Sequence, residues 1–160
     1  MGIKVKLTEL IETLDLQSQE STSYLNKETG EFITISMEEF QAAEDGDSLQ
    51  DYPDWQHDNI KTARIIINSE NDSLLELPTK FDIDEYSIMD KFSMRIDDKD
   101  MYEQLYCAIR GKGAFRRFKD CVHEFGIAEK WYKYRNNAYK EIAIEWCSEN
   151  QIEYIDDSKE

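Results

Sequence analysis

Apolar side chains recur at helical spacing through the last third of the chain, and this spacing constrains the fold more than any other feature. Phe115, Phe118, Val122 and Phe125 stand three, four and three residues apart, so they would share one face of a helix. A second series predicts a closing helix over residues 128–150, with Trp131, Tyr134, Ala138, Ile142 and Trp146 on its buried side. The last third of the chain is therefore expected to be helical.

The first fifty residues combine helical and strand patterns. Apolar residues recur at helical spacing over residues 5–15. β-Branched and aromatic residues then lie on either side of a turn at Gly30, which predicts a hairpin over residues 23–35 because glycine tolerates positive φ. Ser36 and Glu39 have the spacing of a capping box, so a second helix should begin there.

The middle of the chain continues the helical pattern. A helix should begin after Pro53, although its Ile65–Ile67 triplet could equally form a strand. The buried side of this helix should comprise Trp55, Ile60, Ala63, Ile66 and Ile67. Residues 74–78 read as a short extended segment that a proline ends, and Asp82 and Glu85 repeat the spacing of a capping box ahead of another helix.

Together these patterns predict an α+β protein that is predominantly α-helical, with about five to six helices and a small N-terminal β-hairpin. With 160 residues, of which 40% are apolar, the chain should fold as a single domain over residues 1–160 without disulfides or metals. Its parts would be an N-terminal helix plus hairpin (1–50), a helical body (51–150) and a short acidic tail (151–160).

Cysteine usage and hydropathy indicate the compartment. Cys107, Cys121 and Cys147 are odd in number and form no C-x-x-C pair, so we expect reduced, mostly buried thiols. No apolar run approaches the roughly 20 residues of a membrane span. A cytoplasmic monomer that does not enter a membrane is the expectation.

The segment Arg110–Lys119 is a basic, glycine-punctuated island in a strongly acidic chain. Residues 105–140 contain nine Lys and Arg against three Asp and Glu, a charge of +6, and the net charge of −16 leaves −22 for the remainder. Such a split indicates either a chain that neutralises itself through an internal contact or one that offers a basic face to an anionic partner. The basic residues could pair with acids such as Asp97 and Asp98, and both interpretations stay open.

Two features of this region could bind an anion. The glycines around Lys112 place a helix start beside the cations, where free amide groups and the positive end of the helix dipole favour negative charge. On the following helix, aromatic and basic side chains alternate around Tyr132, as they do in proteins that bind single-stranded nucleic acid. The candidate contact residues are Arg110, Lys112, Arg116, Arg117, Lys119, Tyr132 and Arg135.

The same region carries a family resemblance. Residues 111–120 read Gly-Lys-Gly-Ala-Phe-Arg-Arg-Phe-Lys-Asp, and residues 141–146 read Glu-Ile-Ala-Ile-Glu-Trp. With Trp131 and Tyr132 between them and the stretch 77–89 upstream, they resemble a bacterial family that is catalogued as uncharacterised. The likeness extends over roughly residues 50–150. It implies a coherent domain and carries no activity, substrate or catalytic residue.

Catalytic chemistry finds little support in the sequence. His57 and His123 are the available near-neutral bases, and neither stands in a metal-binding H-E-x-x-H pattern. Cys121 and His123 are two residues apart, so on a helix they would point about 200° apart and could not act as nucleophile and base. We expect no cofactor and no metal, and an enzyme is the less favoured interpretation.

The leading hypothesis is a non-enzymatic interaction or regulatory protein that uses residues 110–119 to contact an anion or a partner protein. The alternative is a nucleic-acid-binding regulator that uses the same basic residues. A third hypothesis reverses the sign: the acidic remainder of the chain would imitate a phosphate backbone and occupy a nucleic-acid-binding protein.

Overall fold

The computed structural model describes residues 3–68 and 73–157. The fold is α+β and predominantly α-helical, as predicted, with slightly more helices than the five to six expected. In chain order the elements are β1 (Lys4–Lys6), α1 (Leu7–Leu16), β2 (Ser21–Asn26), β3 (Phe32–Ser36), α2 (Met37–Asp45), a 3-10 turn (Leu49–Asp51), α3 (Asp54–Ile67), β4 (Leu74–Glu76), α4 (Lys80–Ile83), α5 (Glu85–Met94), α6 (Lys99–Ala108), α7 (Ala114–Glu124), α8 (Ala128–Glu149) and β5 (Glu153–Ile155). Among the described residues, no helix combines the length and the apolar character that crossing a lipid bilayer requires.

The described residues form two compact units. Unit 1 consists of the described residues of Met1–Asp82 and Ala143–Glu160, and unit 2 consists of Ile83–Ile142. By sequence, unit 1 contains seven Lys and Arg against 24 Asp and Glu, a charge of −17, whereas unit 2 contains 12 against 11, a charge of +1. The acidity of the protein therefore resides in unit 1. A single domain over residues 1–160 stays a prediction.

The three-stranded sheet of unit 1 has the order β3-β2-β4, and all its pairs are antiparallel. The predicted hairpin is confirmed: Tyr24 of β2 pairs with Ile33 of β3, and Gly30 makes the turn with φ at 80°. The segment predicted to be extended becomes β4, which pairs with the other side of β2. β2 is thus the central strand and is hydrogen-bonded on both sides.

A glutamine side chain extends this sheet where a proline stops it. The buried Gln17 accepts a hydrogen bond from the backbone N–H of Ser23 at 2.9 Å and donates one to the carbonyl of Pro78 at 2.6 Å. The Gln17 amide thus bridges β2 and Pro78: its oxygen takes the place of a strand carbonyl for the Ser23 N–H, and its NH₂ group satisfies the Pro78 carbonyl.

Helices α2 and α3 cover the sheet. The predicted capping box is present, because the Ser36 hydroxyl accepts from the Glu39 N–H at 3.1 Å and the Glu39 carboxylate accepts from the Ser36 N–H at 2.8 Å. The Ile65–Ile67 triplet is the helical end of α3 and not a strand. One core cluster comprises the buried Tyr24, Ile35 and Ala63 with the partly buried Ile33, Phe40, Ala43 and Ile66.

The two ends of unit 1 are joined by a parallel strand pair. Val5 of β1 stands opposite Tyr154 of β5. Beyond β5, Asp157 accepts hydrogen bonds from the N–H of Thr8 at 3.0 Å and from its hydroxyl at 2.7 Å, and so caps the start of α1. These bonds hold the pKa of Asp157 below its ordinary value. The segment predicted as an acidic tail therefore includes a strand; its residues 158–160 lie outside the described residues.

Unit 2 is built around an aromatic cluster. The Phe92 ring lies 5.3 Å from the Trp131 ring and 5.4 Å from the Tyr134 ring, and Trp131 meets Phe118 edge-on at 4.7 Å. Such tilted and edge-to-face pairs add stability beyond the area they bury. The expectation that Trp131 belongs to the core is confirmed, since its side chain is buried.

Several side chains do not lie where their spacing predicts. Trp55 and Phe115, both expected on buried faces, are 75% and 54% exposed. In α3 the buried position next to Trp55 belongs to Gln56, which bonds to another helix. Helical spacing identifies an apolar stripe, but it does not identify the turn at which neighbouring elements stop covering that stripe.

Two further expectations are wrong. Asp82 and Glu85 do not form a capping box, because α5 is capped by Asp84, which accepts from the Ser87 N–H at 3.2 Å. The thiols are not mostly buried: Cys107 is exposed, Cys121 is half-buried and Cys147 is buried.

Candidate interaction site

The basic island is a tight connection between α6 and α7. Gly111 and Gly113 both have positive φ, at 79° and 77°, which side chains with a Cβ rarely adopt. Gly113 is the N-cap residue of α7 and offers no capping side chain. The two glycines therefore reverse the chain within the few residues that separate the helices, as the sequence predicts.

Arg117 turns back from α7 and holds this connection together. Its Nε donates to the carbonyl of Ala108 at 3.0 Å, and its two terminal nitrogens donate to the carbonyls of Arg110 and Lys112. Three carbonyls at the end of α6 and in the loop are thus satisfied by one guanidinium, which carries five donors in a planar fork. Arg117, predicted as a partner contact, is committed to the backbone of its own loop.

Arg110 lies over an aromatic ring. Its guanidinium carbon is 4.0 Å from the centre of the Tyr106 ring, within the range of a cation–π interaction. Arg110 remains exposed, so stacking orients the charge without removing it from solvent.

The remaining cations of the island stand in solvent. Lys112, Arg116 and Lys119 are exposed, and within the described part of the chain none of their side chains forms a hydrogen bond or an ion pair. Phe115 is exposed beside them at the first turn of α7. Arg110, Lys112, Arg116 and Lys119 are hereafter called the basic surface.

Arg135 of α8 does not contribute to the basic surface. Its guanidinium forms a bidentate pair with Glu85 at the start of α5, with one contact at 3.3 Å, and also donates to the Tyr139 hydroxyl at 3.1 Å. The Tyr139 hydroxyl donates in turn to Glu85. This candidate contact residue is therefore engaged within unit 2.

Tyr132 lies near the other end of α7. Its hydroxyl is 3.3 Å from Nε2 of His123, and the two rings meet edge-on at 6.2 Å. His123 stands in the last turn of α7, whereas the basic surface spans the loop and the first two turns. The sequence therefore grouped residues that the fold separates: His123, which Tyr132 contacts, lies about one helical turn beyond Lys119 and about two turns beyond Arg116.

A groove between α6 and α7 is a feature that the sequence did not indicate. It has a volume of about 710 Å³, and its lining includes three acids and two thiols: Asp100, Glu103, Gln104, Cys107, Ala108, Arg117, Asp120 and Cys121. Burial, with the nearby carboxylates of Glu124 and Asp120, raises the pKa of the Cys121 thiol. A thiol that stays protonated is a poor nucleophile.

The described residues contain no cluster of side chains that could hold a metal ion. Nowhere in residues 3–68 or 73–157 do three His, Cys, Asp or Glu side chains gather as metal ligands would. What the helix start can offer chemically is positive charge, free amide groups and one exposed aromatic ring, which suit an anionic partner.

Comparison with known proteins identifies relatives of the chain without assigning a reaction. A model described as "Uncharacterised protein family (UPF0158)" matches residues 2–159. A UPF0158 protein of Pseudomonas aeruginosa is 24% identical over 89 residues, which are 55% of this chain and 58% of the relative. The match thus covers less than two thirds of that relative's length. No solved structure matches the chain significantly.

Proposed function

Because the chain belongs to the uncharacterised protein family UPF0158, whose description assigns no activity, we propose a function from the side chains alone: a non-enzymatic interaction protein. In this proposal the basic surface of unit 2 contacts a partner protein through carboxylates on the partner. One observation carries the proposal. Arg117 holds the loop before α7 through three hydrogen bonds, whereas the four cations of the basic surface face solvent.

The fixed loop lowers the cost of binding. A flexible loop loses conformational entropy when a partner immobilises it, and a preorganised loop does not. The guanidinium of Arg117 bridges the end of α6 and both loop carbonyls, so Arg110 and Lys112 are presented on a backbone that is already ordered.

The distribution of charge favours a local protein contact over a long polyanion. Unit 2 has a net charge of +1, and the net charge of −16 repels nucleic acid at distances where screening is weak. Four cations at one helix start match a few carboxylates, whereas affinity for a duplex usually depends on neutralising many phosphates. The proposal places the protein in the cytoplasm, where unpaired thiols stay reduced.

A single-stranded nucleic acid is the second candidate. Phe115 is exposed among the cations, and an exposed ring beside positive charge can stack on a base. Binding of a nucleic acid would be distinguished by the salt dependence of its affinity, because each phosphate contact releases counterions.

The test uses a dye-labelled peptide rich in glutamate as the probe and measures its anisotropy with the full chain. Reversing two charges of the basic surface, Arg116→Glu with Lys119→Glu, should weaken binding about tenfold, or ~1.4 kcal/mol. The matched control reverses Lys130 and Lys133, which are also exposed and lie on α8. Equal loss in both double variants would show that only net charge matters and would refute the proposal.

The same assay includes a single-stranded oligonucleotide. If it binds at least as tightly as the peptide, and loses affinity steeply between low and moderate salt, the nucleic-acid alternative replaces the protein partner. If neither probe binds the unmodified chain, the basic surface has no anionic partner of these two classes and the proposal fails.

A further inference from the structure

Two exposed apolar side chains mark a second surface, which lies in unit 1 and does not depend on the basic surface. Met37 at the start of α2 is 62% exposed, and Trp55 at the start of α3 is 75% exposed. The residues that follow them, Glu38 and Gln56, are joined by a hydrogen bond of 3.4 Å between their side chains. The two apolar side chains therefore stand at the same end of the α2–α3 pair.

This end is rich in acidic residues and has no Lys or Arg, and its one imidazole, that of His57, lies 4.0 Å from the Asp54 carboxylate. Residues 37–58 contain eight Asp and Glu and no Lys or Arg. Glu38 and Asp58 are exposed, and the side chain of Asp54 is fully exposed. An apolar centre within an acidic rim is the arrangement of a binding surface whose partner is apolar and basic.

The support behind the surface is rigid. The buried Glu39 carboxylate closes the capping box of α2 and accepts from the Asn59 amide at 3.1 Å, and Asn59 also donates to the carbonyl of Thr34 at 3.0 Å. These hydrogen bonds link β3, α2 and α3 to one another. Neighbouring Gln56 is buried, so Trp55 projects from a fixed turn of helix.

We propose that Met37 and Trp55, with Glu38, Asp54 and Asp58, form a docking surface for a basic amphipathic segment of a partner protein. A bulky apolar residue of the partner would cover the Trp55 ring, and its Lys or Arg residues would meet the three carboxylates. Tryptophan is the side chain most enriched among interface residues that dominate affinity, and methionine adapts to the shape of its partner. The surface is named the Trp55 surface.

Charge selects this occupant over a second copy of the chain. Each copy carries −16, and unit 1 carries −17, so two Trp55 surfaces that face one another would bring like charges together. A basic segment is instead attracted at long range by the whole of unit 1.

Trp55 supplies a direct probe of its own surface. The other two tryptophans, Trp131 and Trp146, are 3% and 6% exposed. The full chain would be labelled with 5-fluorotryptophan, and the Trp55 fluorine resonance would be identified by its absence from Trp55→Phe. The probe is a synthetic peptide of about 18 residues, or five helical turns, with Lys and Leu at amphipathic spacing. The control peptide has Glu in place of Lys.

The Lys/Leu peptide should shift the Trp55 resonance and leave the other two in place, and the Glu/Leu peptide should shift none. Asp54→Lys with Asp58→Lys should weaken binding of the Lys/Leu peptide at least tenfold. The same charge change at the exposed Glu9 and Glu12 of α1 should weaken it less than threefold. Trp55→Ala removes an exposed side chain and should keep the fold. Its affinity for the Lys/Leu peptide should also be about tenfold lower.

Three results would overturn the proposal. The Trp55 resonance could stay fixed while the peptide binds elsewhere, or the α1 reversals could weaken binding as much as those around Trp55. The resonance could also move with protein concentration alone, which would assign the surface to self-association.

Discussion

Of the carboxylates in unit 2, Glu85 should be the one whose removal lowers the stability most. Arg135 and Tyr139 both form hydrogen bonds with it. The side chains of Glu85 and Arg135 are only 17% and 21% exposed, and Tyr139 is buried. Breaking a buried ion pair from one side usually costs 3–5 kcal/mol. With about a fifth of each side chain in solvent, we place Glu85→Ala at the lower end, about 3 kcal/mol of unfolding free energy.

A double-mutant cycle separates the pair from the individual side chains. Arg135→Met combined with Glu85→Ala should cost about 2 kcal/mol less than the sum of the single changes, since no uncompensated charge stays behind. Urea unfolding followed by circular dichroism at neutral pH measures each value. Glu141→Ala removes an exposed acid of the same unit and should cost less than about 0.5 kcal/mol. A loss below about 1 kcal/mol for Glu85→Ala, or an additive cycle, would refute this reasoning.

Three further perturbations follow from contacts described above. Gln17→Ala should cost about 2–4 kcal/mol in urea unfolding, because it leaves the buried Ser23 N–H and the partly buried Pro78 carbonyl without partners. A loss under about 1 kcal/mol would show that the Gln17 amide does not act as a substitute for a strand neighbour. Thr8 lowers the pKa of Asp157, so the hydrogen bonds between the two residues are at full strength above the ordinary carboxyl pKa and weaken as pH falls through the lower folded value. The protection of β1 amides against hydrogen exchange, relative to their intrinsic rate at each pH, should fall there, and this fall should be absent in Asp157→Ala. Gly113→Ala places a Cβ 3.1 Å from a terminal nitrogen of Arg117 at positive φ, so it should cost about 1–2 kcal/mol by the same unfolding assay, whereas an unchanged midpoint would mean that the loop is not held.

Several local signals in the sequence predicted the local structure correctly. The capping box at Ser36 and Glu39 and the turn at Gly30 each depend on residues within a few positions of one another. The same spacing at Asp82 and Glu85 was misleading, because Asp84 caps α5 instead. The helical series of α7 and α8 follow from the same principle. Helix formation and tight turns are decided mainly by near neighbours, which the sequence displays directly.

Contacts between distant residues were not predictable in this way. β1 and β5 have three residues each and lie at opposite ends of the chain, so neither has a period long enough to indicate a strand. Gln17 is polar and gives no sign that Pro78, 61 residues away, requires its amide. Such pairs are fixed by packing of the whole unit.

The candidate site was predicted in composition but not in geometry. The sequence identified a basic helix start, and four of its cations do share it. Arg117 and Arg135 have the same charge, yet one is used by backbone carbonyls nearby and the other by Glu85, 50 residues away. A count of charges cannot separate the cations that hold the fold from those that face solvent.

The central claim is that the connection between α6 and α7 presents a preordered basic surface to carboxylates. Titrating the ¹⁵N-labelled full chain with the glutamate-rich peptide, and following its amide resonances, tests this directly. The account predicts shifts concentrated in residues 109–119, with little change around Lys130 and Lys133 of α8. Shifts spread over every exposed lysine, or confined to other helices, would contradict it.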